Sequence, residues 1–279
     1  MKFCYVILHY KTDVDTIECV RSIFASDDLS DIVIVDNASH NGSIEKVKAA
    51  FAGEKRVHIL ENEENLGFAS GNNVGYVYAR ETLQADTIAI SNNDILIVTK
   101  DFPGKVREVY EETGFHVMGP DIESIVDGGH QNPMEQSFHS AREVRKEILR
   151  YRILLALSKT GIYDLLKPNK QVRTGSSRKT VPAENVENVT VHGSFVIFSP
   201  KFTETEAIAF RTGTFLYTEE AILKKYCDRC GYKVLFSPAL HVQHKEDSAT
   251  NSLKLTTRER REFVFRNMIR SLTVYLDYF

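Results

Sequence analysis

The chain is predicted to be an α/β protein built on a mostly parallel central sheet flanked by helices. Three observations lead there. Short β-branched runs alternate with amphipathic helical patterns through the first 120 residues, the signature of βαβ units. Two of those runs, Ile32-Val33-Ile34-Val35 and Thr87-Ile88-Ala89-Ile90-Ser91, lead into lone carboxylates, Asp36 and Asp94, where buried strands should end. A composition of 42% hydrophobic and 26% charged residues is that of an ordinary globular protein.

Taken in order, Phe3–Leu8 is the first strand. Val14, Ile17, Val20, Ile23 and Phe24 then recur at helical spacing behind a cap at Thr12 or Asp13. Ile32–Val35 is the second strand, and Ile44, Val47, Lys48 and Phe51 mark a short helix. Val57–Leu60 is the third strand, Phe68 to Leu83 a helix, and Thr87–Ser91 the fourth strand. Single helices between strands require right-handed crossovers and a parallel sheet. The alternation stops near Gly119-Pro120. Residues 121–187 are polar and basic, interrupted by Gly128-Gly129, Pro133, Pro168 and Gly175. A helix from Ala141 to Leu166 is expected there, with Val144, Ile148, Tyr151 and Leu155 on its apolar face, so the insert reads as a lid or acceptor-facing subdomain. Gln171 to Ala183 is expected to be mobile. Val191 to Phe198 is strand-like, Thr218 to Arg229 helical, Lys233–Phe236 another strand, and Thr256 to Tyr278 a basic and apolar helix. The expected organisation is one domain over 1–279: a first half to 120, the insert, a second half over 188–250, and a terminal helix over 251–279.

A net charge of −3 gives no global attraction to nucleic acid. Cys4, Cys19, Cys227 and Cys230 are too few for a disulfide scaffold. The Cys227-x-x-Cys230 pair lies in a helical pattern without a second ligand pair, and reads as reduced thiols. Phe3 to Leu8 is too short for a signal peptide, and no run approaches the ~18 apolar residues of a membrane span. A cytoplasmic location is expected, with a peripheral contact at the inner membrane face left open.

Two carboxyl-end aspartates, without a glycine-rich phosphate loop after the first strand, suggest a metal-assisted nucleotide-sugar site. Asp94 can bind a cation, with Asn92 and Asn93 as neutral oxygen donors; an Asx-turn closing the strand is the plain alternative. Asp36 can accept a hydrogen bond from a base or ribose, and the run after it also suits a helix cap. Asn65 to Gly75 places three glycines and three asparagines at a helix start, where backbone can approach a ligand or a neighbouring strand. Glu219-Glu220 offers adjacent carboxylates, one of which can become a base near neutral pH, or a plain acidic first helical turn. His244 follows an apolar run as a ligand or a structural histidine; His241 and His9 carry less signal.

As an ordered set, Val35-Asp36-Asn37-Ala38-Ser39, Asn65 to Gly75, Asn92-Asn93-Asp94, Gly193-Ser194, Phe215 to Glu220, Gly231-Tyr232-Lys233, His244 to Ser248 and Arg261 to Arg270 resemble glycosyltransferase family 2. The resemblance covers nearly the whole chain and points to the rhamnosyltransferase-like branch of these inverting enzymes. It implies a GT-A fold, a nucleoside-diphosphate sugar donor and a divalent cation, Mg2+ or Mn2+. It implies that Asp36, with His9 and Tyr10 beside it, contacts the nucleoside, and that Asn65, Gly67, Phe68, Asn72, Asn73 and Asn93 border the nucleotide-sugar. Asp94 and His244 take the metal-ligand positions, and Glu220, seconded by Glu219, that of the general base. The implied acceptor is a hydroxyl of a surface polysaccharide or lipid-linked glycan. The terminal helix is expected to pack on the catalytic domain or a sister subunit, or to lie on an anionic membrane.

Asn92 stands where the family often has a second aspartate, which lowers the expected cation affinity. Ala221-Ile222-Leu223 lacks a further acid, and His9 stands where asparagine is frequent. Two rivals remain at this stage: a nucleotidyltransferase, against which Tyr10-Lys11-Thr12 stands in place of a basic glycine-rich loop, and a silent nucleotide-sugar-binding protein.

Overall fold

The computed structural model describes residues 1–26, 29–135, 138–166, 180–246 and 256–279. Its first half is β1 (Phe3–His9), α1 (Asp13–Ser26), β2 (Asp31–Asp36), α2 (Ser43–Ala50), β3 (Val57–Glu61), α3 (Gly67–Val77) and β4 (Thr87–Asn92). The four strands are parallel in the order β3-β2-β1-β4, as the alternation predicts. Next come β5 (Ile95–Ile97), α4 (Phe102–Thr113), β6 (Val117–Ser124), α5 (Ala141–Lys159), α6 (Ile162–Leu166) and β7 (Val186–Glu187). The chain closes with β8 (Phe195–Phe198), α7 (Pro200–Thr205), α8 (Glu219–Cys230), β9 (Val234–His244) and α9 (Thr257–Tyr275). Among the described residues one nine-stranded sheet runs β3-β2-β1-β4-β8-β6-β9-β5, with β7 added to β9. Strand β8 is antiparallel to β4 and β6, and β5 is antiparallel to β9.

Both faces of the sheet are covered, which is why its strands read as continuous apolar runs. Along β1, Tyr5 and Ile7 join one core with Ile23, Phe102 and Phe195, while Cys4 and Val6 join the other with Tyr76, Phe198 and Phe202. Helix α3 lies close on β1. A Cβ at Gly75 would stand 2.3 Å from a Val6 methyl carbon, so the small residues of this helix do serve packing.

Several elements differ from the sequence expectation. The helix expected over 141–166 is two helices, broken where Gly161 takes φ 78°. Strand β6 runs through Gly119-Pro120, where the alternation seemed to end. Strand β9 continues past Phe236 to His244; its register on β6 jumps from Pro120↔Ser237 to Asp121↔His241, which accommodates Pro238. Most consequential, β8 begins only at Phe195. His192 to Ser194 form a turn instead, with the Ser194 N–H donating to His192 Nδ1 at 3.2 Å. Of the stretch 171–183, residues 171–179 lie outside the described residues, as do the last two of His244 to Ser248.

Helix α9 starts with a capping box, Thr256 and Glu259 satisfying each other's backbone. Its Leu272 and Tyr275 join Val144 and Ile148 of α5 and Ile222 of α8 in a third core. Arg258 and Arg266 pair with Glu262, and Arg261 with Asp164. The apolar side of this helix therefore packs within the chain.

Candidate active site

The parallel register aligns the carboxyl ends of three neighbouring strands. His9 pairs with Asp36, and Leu8 with Asn92. Asp36 is 4% exposed; its carboxylate accepts the Ser39 hydroxyl and, at 3.3 Å, the Ser39 N–H. His9 is fully buried between the hydroxyls of Thr16 (2.7 Å) and Ser43 (2.9 Å), with Asp36 3.8 Å from its Nε2. Burial lowers its pKa, against the opposing pull of Asp36. Tyr10 is half-buried beneath the Lys11 ammonium, 4.7 Å from the ring centre. Asn37 is the linchpin that residue-by-residue reading of the motif missed. Its amide donates to Asn65 Oδ1 and the Gly67 carbonyl, and its own carbonyl accepts from Asn62 and the Leu66 N–H. It thereby fastens the 62–67 loop to the end of β2.

Gly67 sits at φ 77°, and a Cβ there would stand 2.4 Å from the Phe215 carbonyl oxygen. The Phe68 N–H donates to that same carbonyl at 2.8 Å, and the Phe68 ring meets Phe210 edge-on at 5.2 Å. The loop is thus clamped to the segment leading into α8. Asn73 commits both amide ends to the Phe210 backbone, at 2.8 and 2.9 Å, and belongs to the scaffold. Asn72 donates to the Phe68 carbonyl at 3.0 Å, while its buried Oδ1 has no partner.

Asp94 and His244 meet because β5 pairs antiparallel with β9, Ile95 opposite His244. His244 Nε2 lies 3.2 Å from Asp94 Oδ1, yet that oxygen, buried, makes no hydrogen bond. The two atoms face each other by distance without the alignment of a hydrogen bond. His244 Nδ1 is held by Gln131 Oε1 at 2.8 Å, which leaves Nε2 to face the aspartate. A buried carboxylate oxygen without a partner, beside an imidazole oriented by its other nitrogen, is a donor pair suited to a divalent cation. Among the described residues no third histidine, cysteine, aspartate or glutamate completes a protein-only set. Asn93 instead donates to the hydroxyls of Thr12 (2.7 Å) and Thr16 (3.0 Å), anchoring β4 to α1.

Beside this pair opens a cleft of about 300 Å³, lined by Phe68, Asn92, His192, Glu219, Glu220 and Met268 among others. Glu220 Oε1 accepts the Gly193 N–H at 3.2 Å, a contact so close that a Cβ at Gly193 would stand 2.6 Å from it. Glu219 is 5% exposed, and its Oε1 has no partner. Burial, then the charge of Glu220, pushes the Glu219 pKa up to about 8. Burial raises Glu220 as well, but its own N–H and that of Gly193 favour its anion. The two adjacent carboxyls are coupled, and burial makes both hold a proton above the ordinary carboxylate range. His192 went unnoticed in the sequence because it lay inside an expected strand. Burial and the neighbouring His244 lower its pKa to about 4. Since Nδ1 accepts the Ser194 N–H, the neutral ring carries its proton on Nε2. The His192 and His244 ring centres are 6.0 Å apart, so one turn connects the cleft to the Asp94–His244 pair. On α8 itself, Cys227 is buried and Cys230 exposed.

A mixed sheet flanked by helices is the GT-A glycosyltransferase architecture, and solved structures bear that fold out. The fold superposes on GalNAc-T7 crystallised with UDP, GalNAc and Mn2+, with TM-score 0.59 and 13% identity, over 89% of this chain and 45% of that one. It also superposes on S. aureus TarS 1-349 in complex with UDP-GlcNAc, with TM-score 0.56 and 14% identity, over 99% of this chain and 66% of that one. The model of glycosyl transferase family 2 matches residues 6–179, and the chain belongs to that family. Relatives include the low-salt glycan biosynthesis hexosyltransferase Agl10 of Haloferax volcanii, 23% identical over 42% of this chain and 35% of its own length. Another is the succinoglycan biosynthesis protein ExoU of Rhizobium meliloti, 26% identical over 43% of this chain and 33% of its own length. The matched segments span about a third of these relatives.

Proposed function

We propose that this chain transfers a hexose from a nucleoside-diphosphate sugar to a hydroxyl of a glycan under synthesis, with inversion. The observation that supports this reading is a cleft lined by the anchored carboxylate of Glu220, and whose His192 wall lies 6.0 Å, ring centre to ring centre, from His244 of the Asp94–His244 pair. Glu220 takes the proton of the acceptor hydroxyl while that oxygen forms its bond to the anomeric carbon. The bond from that carbon to the diphosphate breaks, and its electron pair leaves with the nucleoside diphosphate. One in-line displacement inverts the centre. Asp94 Oδ1 and His244 Nε2 would hold a divalent cation, Mg2+ or Mn2+, whose charge supports the leaving diphosphate. With Asn92 in place of a second carboxylate, substrate and water oxygens would have to complete the set, so the cation and the donor would bind together. Asp36 and the Asn37-fastened loop receive the nucleoside. His192, in the cleft wall, would donate its Nε2–H to a sugar hydroxyl.

Rhamnose is the sugar the branch resemblance favours. UDP sugars are the donors suggested by the ligands of the GalNAc-T7 and TarS structures. The test is a panel of nucleoside-diphosphate sugars, with Mn2+ or Mg2+ and with oligosaccharide acceptors, followed by release of nucleoside diphosphate and the anomeric configuration of the product. Donor binding without release on any acceptor would identify a silent binding protein instead. Retention of configuration would remove Glu220 from the role of base.

A further inference from the structure

Helix α5 carries a surface that the site does not use. At about 100° per residue, Arg142, Arg145, Lys146, Leu149, Arg152 and Ile153 fall within one arc of about 120°. All six are exposed, Leu149 by 58% and Ile153 by 52%. The opposite side carries Val144 and Ile148, which are buried against Ile222 of α8 and Leu272 of α9. Just beyond, α6 exposes Leu165 by 82% and Ile162 by 43%. Neighbouring exposed aliphatic side chains rimmed by cations mark a surface for interaction.

The charges say what does. The nearby carboxylates are already engaged: Glu143 accepts the His139 N–H at 2.9 Å, Glu147 pairs with Arg150, and Asp164 pairs with Arg261. The four cations of the arc have no carboxylate partner among the described residues. The arc itself contains no acid. An unneutralised basic face with protruding leucine and isoleucine matches the interfacial zone of an anionic bilayer, where headgroups meet the cations and acyl chains the aliphatics. No helix among the described residues is long and apolar enough to cross a membrane, so the contact is one of surface docking.

We infer that the exposed face of α5 docks this protein on an anionic lipid surface. The consequence for the site is direct. Ala221 and Met268 line the cleft and also pack in the core that the inner side of α5 closes. Docking through α5 therefore holds the cleft beside the bilayer and makes a lipid-linked glycan the acceptor class. That last step rests on the transferase reading; the docking itself does not.

The experiment is flotation of the full chain with vesicles of phosphatidylglycerol and phosphatidylcholine, against pure phosphatidylcholine. Binding to the anionic vesicles alone is expected, weakening as salt rises. Arg145→Gln/Lys146→Gln lowers the partition coefficient by roughly 30-fold, at about one kcal/mol per cation. Leu149→Ser/Ile153→Ser lowers it by roughly tenfold or more. Arg21→Gln/Lys55→Gln, with the same charge change on exposed residues elsewhere, leaves it unaltered. Thermal melting of each variant establishes that the fold is intact. No binding to anionic vesicles, or equal binding by every variant, overturns the inference. So does a change from dimer to monomer in the α5 variants, which would make the face a contact between copies. Nucleoside diphosphate release in solution, unaffected by the α5 variants, keeps a failure of docking separate from a failure of the proposed activity.

Discussion

Asp94 and His244 stand 3.2 Å apart, carboxylate oxygen to imidazole nitrogen, because the short strand β5 turns back to pair with the end of β9. The antiparallel pairing of Ile95 with His244 brings them together, and the Lys245 N–H donating to the Asp94 carbonyl at 3.0 Å locks it. The Asp94 oxygen remains buried and without a hydrogen bond.

In the proposed mechanism this pair would hold the cation. Asp94→Asn is expected to weaken Mn2+ binding in the presence of UDP by at least about tenfold. Isothermal titration reads this directly, independent of turnover. Undiminished Mn2+ affinity would place the cation elsewhere.

Glu220→Gln keeps an oxygen for the Gly193 N–H and removes the proposed base. Turnover should fall by roughly 100- to 10,000-fold, with donor affinity within about threefold of wild type. In the wild type, burial raises the Glu220 pKa, so activity is lost on acidification at a pH above the ordinary carboxylate range. A loss of donor affinity as large as the loss of turnover would refute the assignment.

Glu219 makes a stability prediction. Its folded pKa, pushed up to about 8, lies above the ordinary value of 4.5, so the native state binds the extra proton between those limits. The stability this contributes is present below pH 4.5 and lost as pH rises through about 8. Glu219→Gln removes the ionisation and should raise the melting temperature by a few degrees at the alkaline end, with little change at the acid end. Melting curves across pH decide it; a uniform shift would contradict a buried, proton-binding carboxyl.

His192→Phe keeps the ring and removes the Nε2–H donor. The expected outcome is an acceptor KM raised by roughly tenfold, with the Kd for UDP unchanged, because one hydrogen bond to a sugar hydroxyl is lost. His192→Gln, which restores a donor, should recover part of it. Equal effects of both variants on UDP binding would return His192 to a structural role.

Gly67→Ala combines a left-handed backbone with a Cβ 2.4 Å from the Phe215 carbonyl. A destabilisation of about 2–4 kcal/mol is expected, measured by denaturant unfolding. A neutral effect would mean that the clamp between the loop and the α8 approach is loose.

The sequence by itself determined the parallel half of the sheet. Strands β1 to β4 are bounded within a residue or so of their expected limits, because strands buried on both faces must be continuous apolar runs. It also marked Asp36, Asp94, Glu219, Glu220 and His244, since carboxylates and a histidine at strand and helix ends stand out against apolar neighbours. Tertiary structure alone decided the rest. Asn37 and Asn93 resemble their neighbours in sequence, and only their partners separate a loop fastener and a strand anchor from ligand contacts. His192 was hidden in a run with strand composition, and the Ser194 N–H on its ring turned that run into a cleft wall. Of the alternatives open for the terminal helix, α9 packs within the chain, while α5 presents its cations to solvent. Local pattern encodes which residues want burial; which surface buries them depends on pairings between distant segments, and those exist only once the chain has closed on itself.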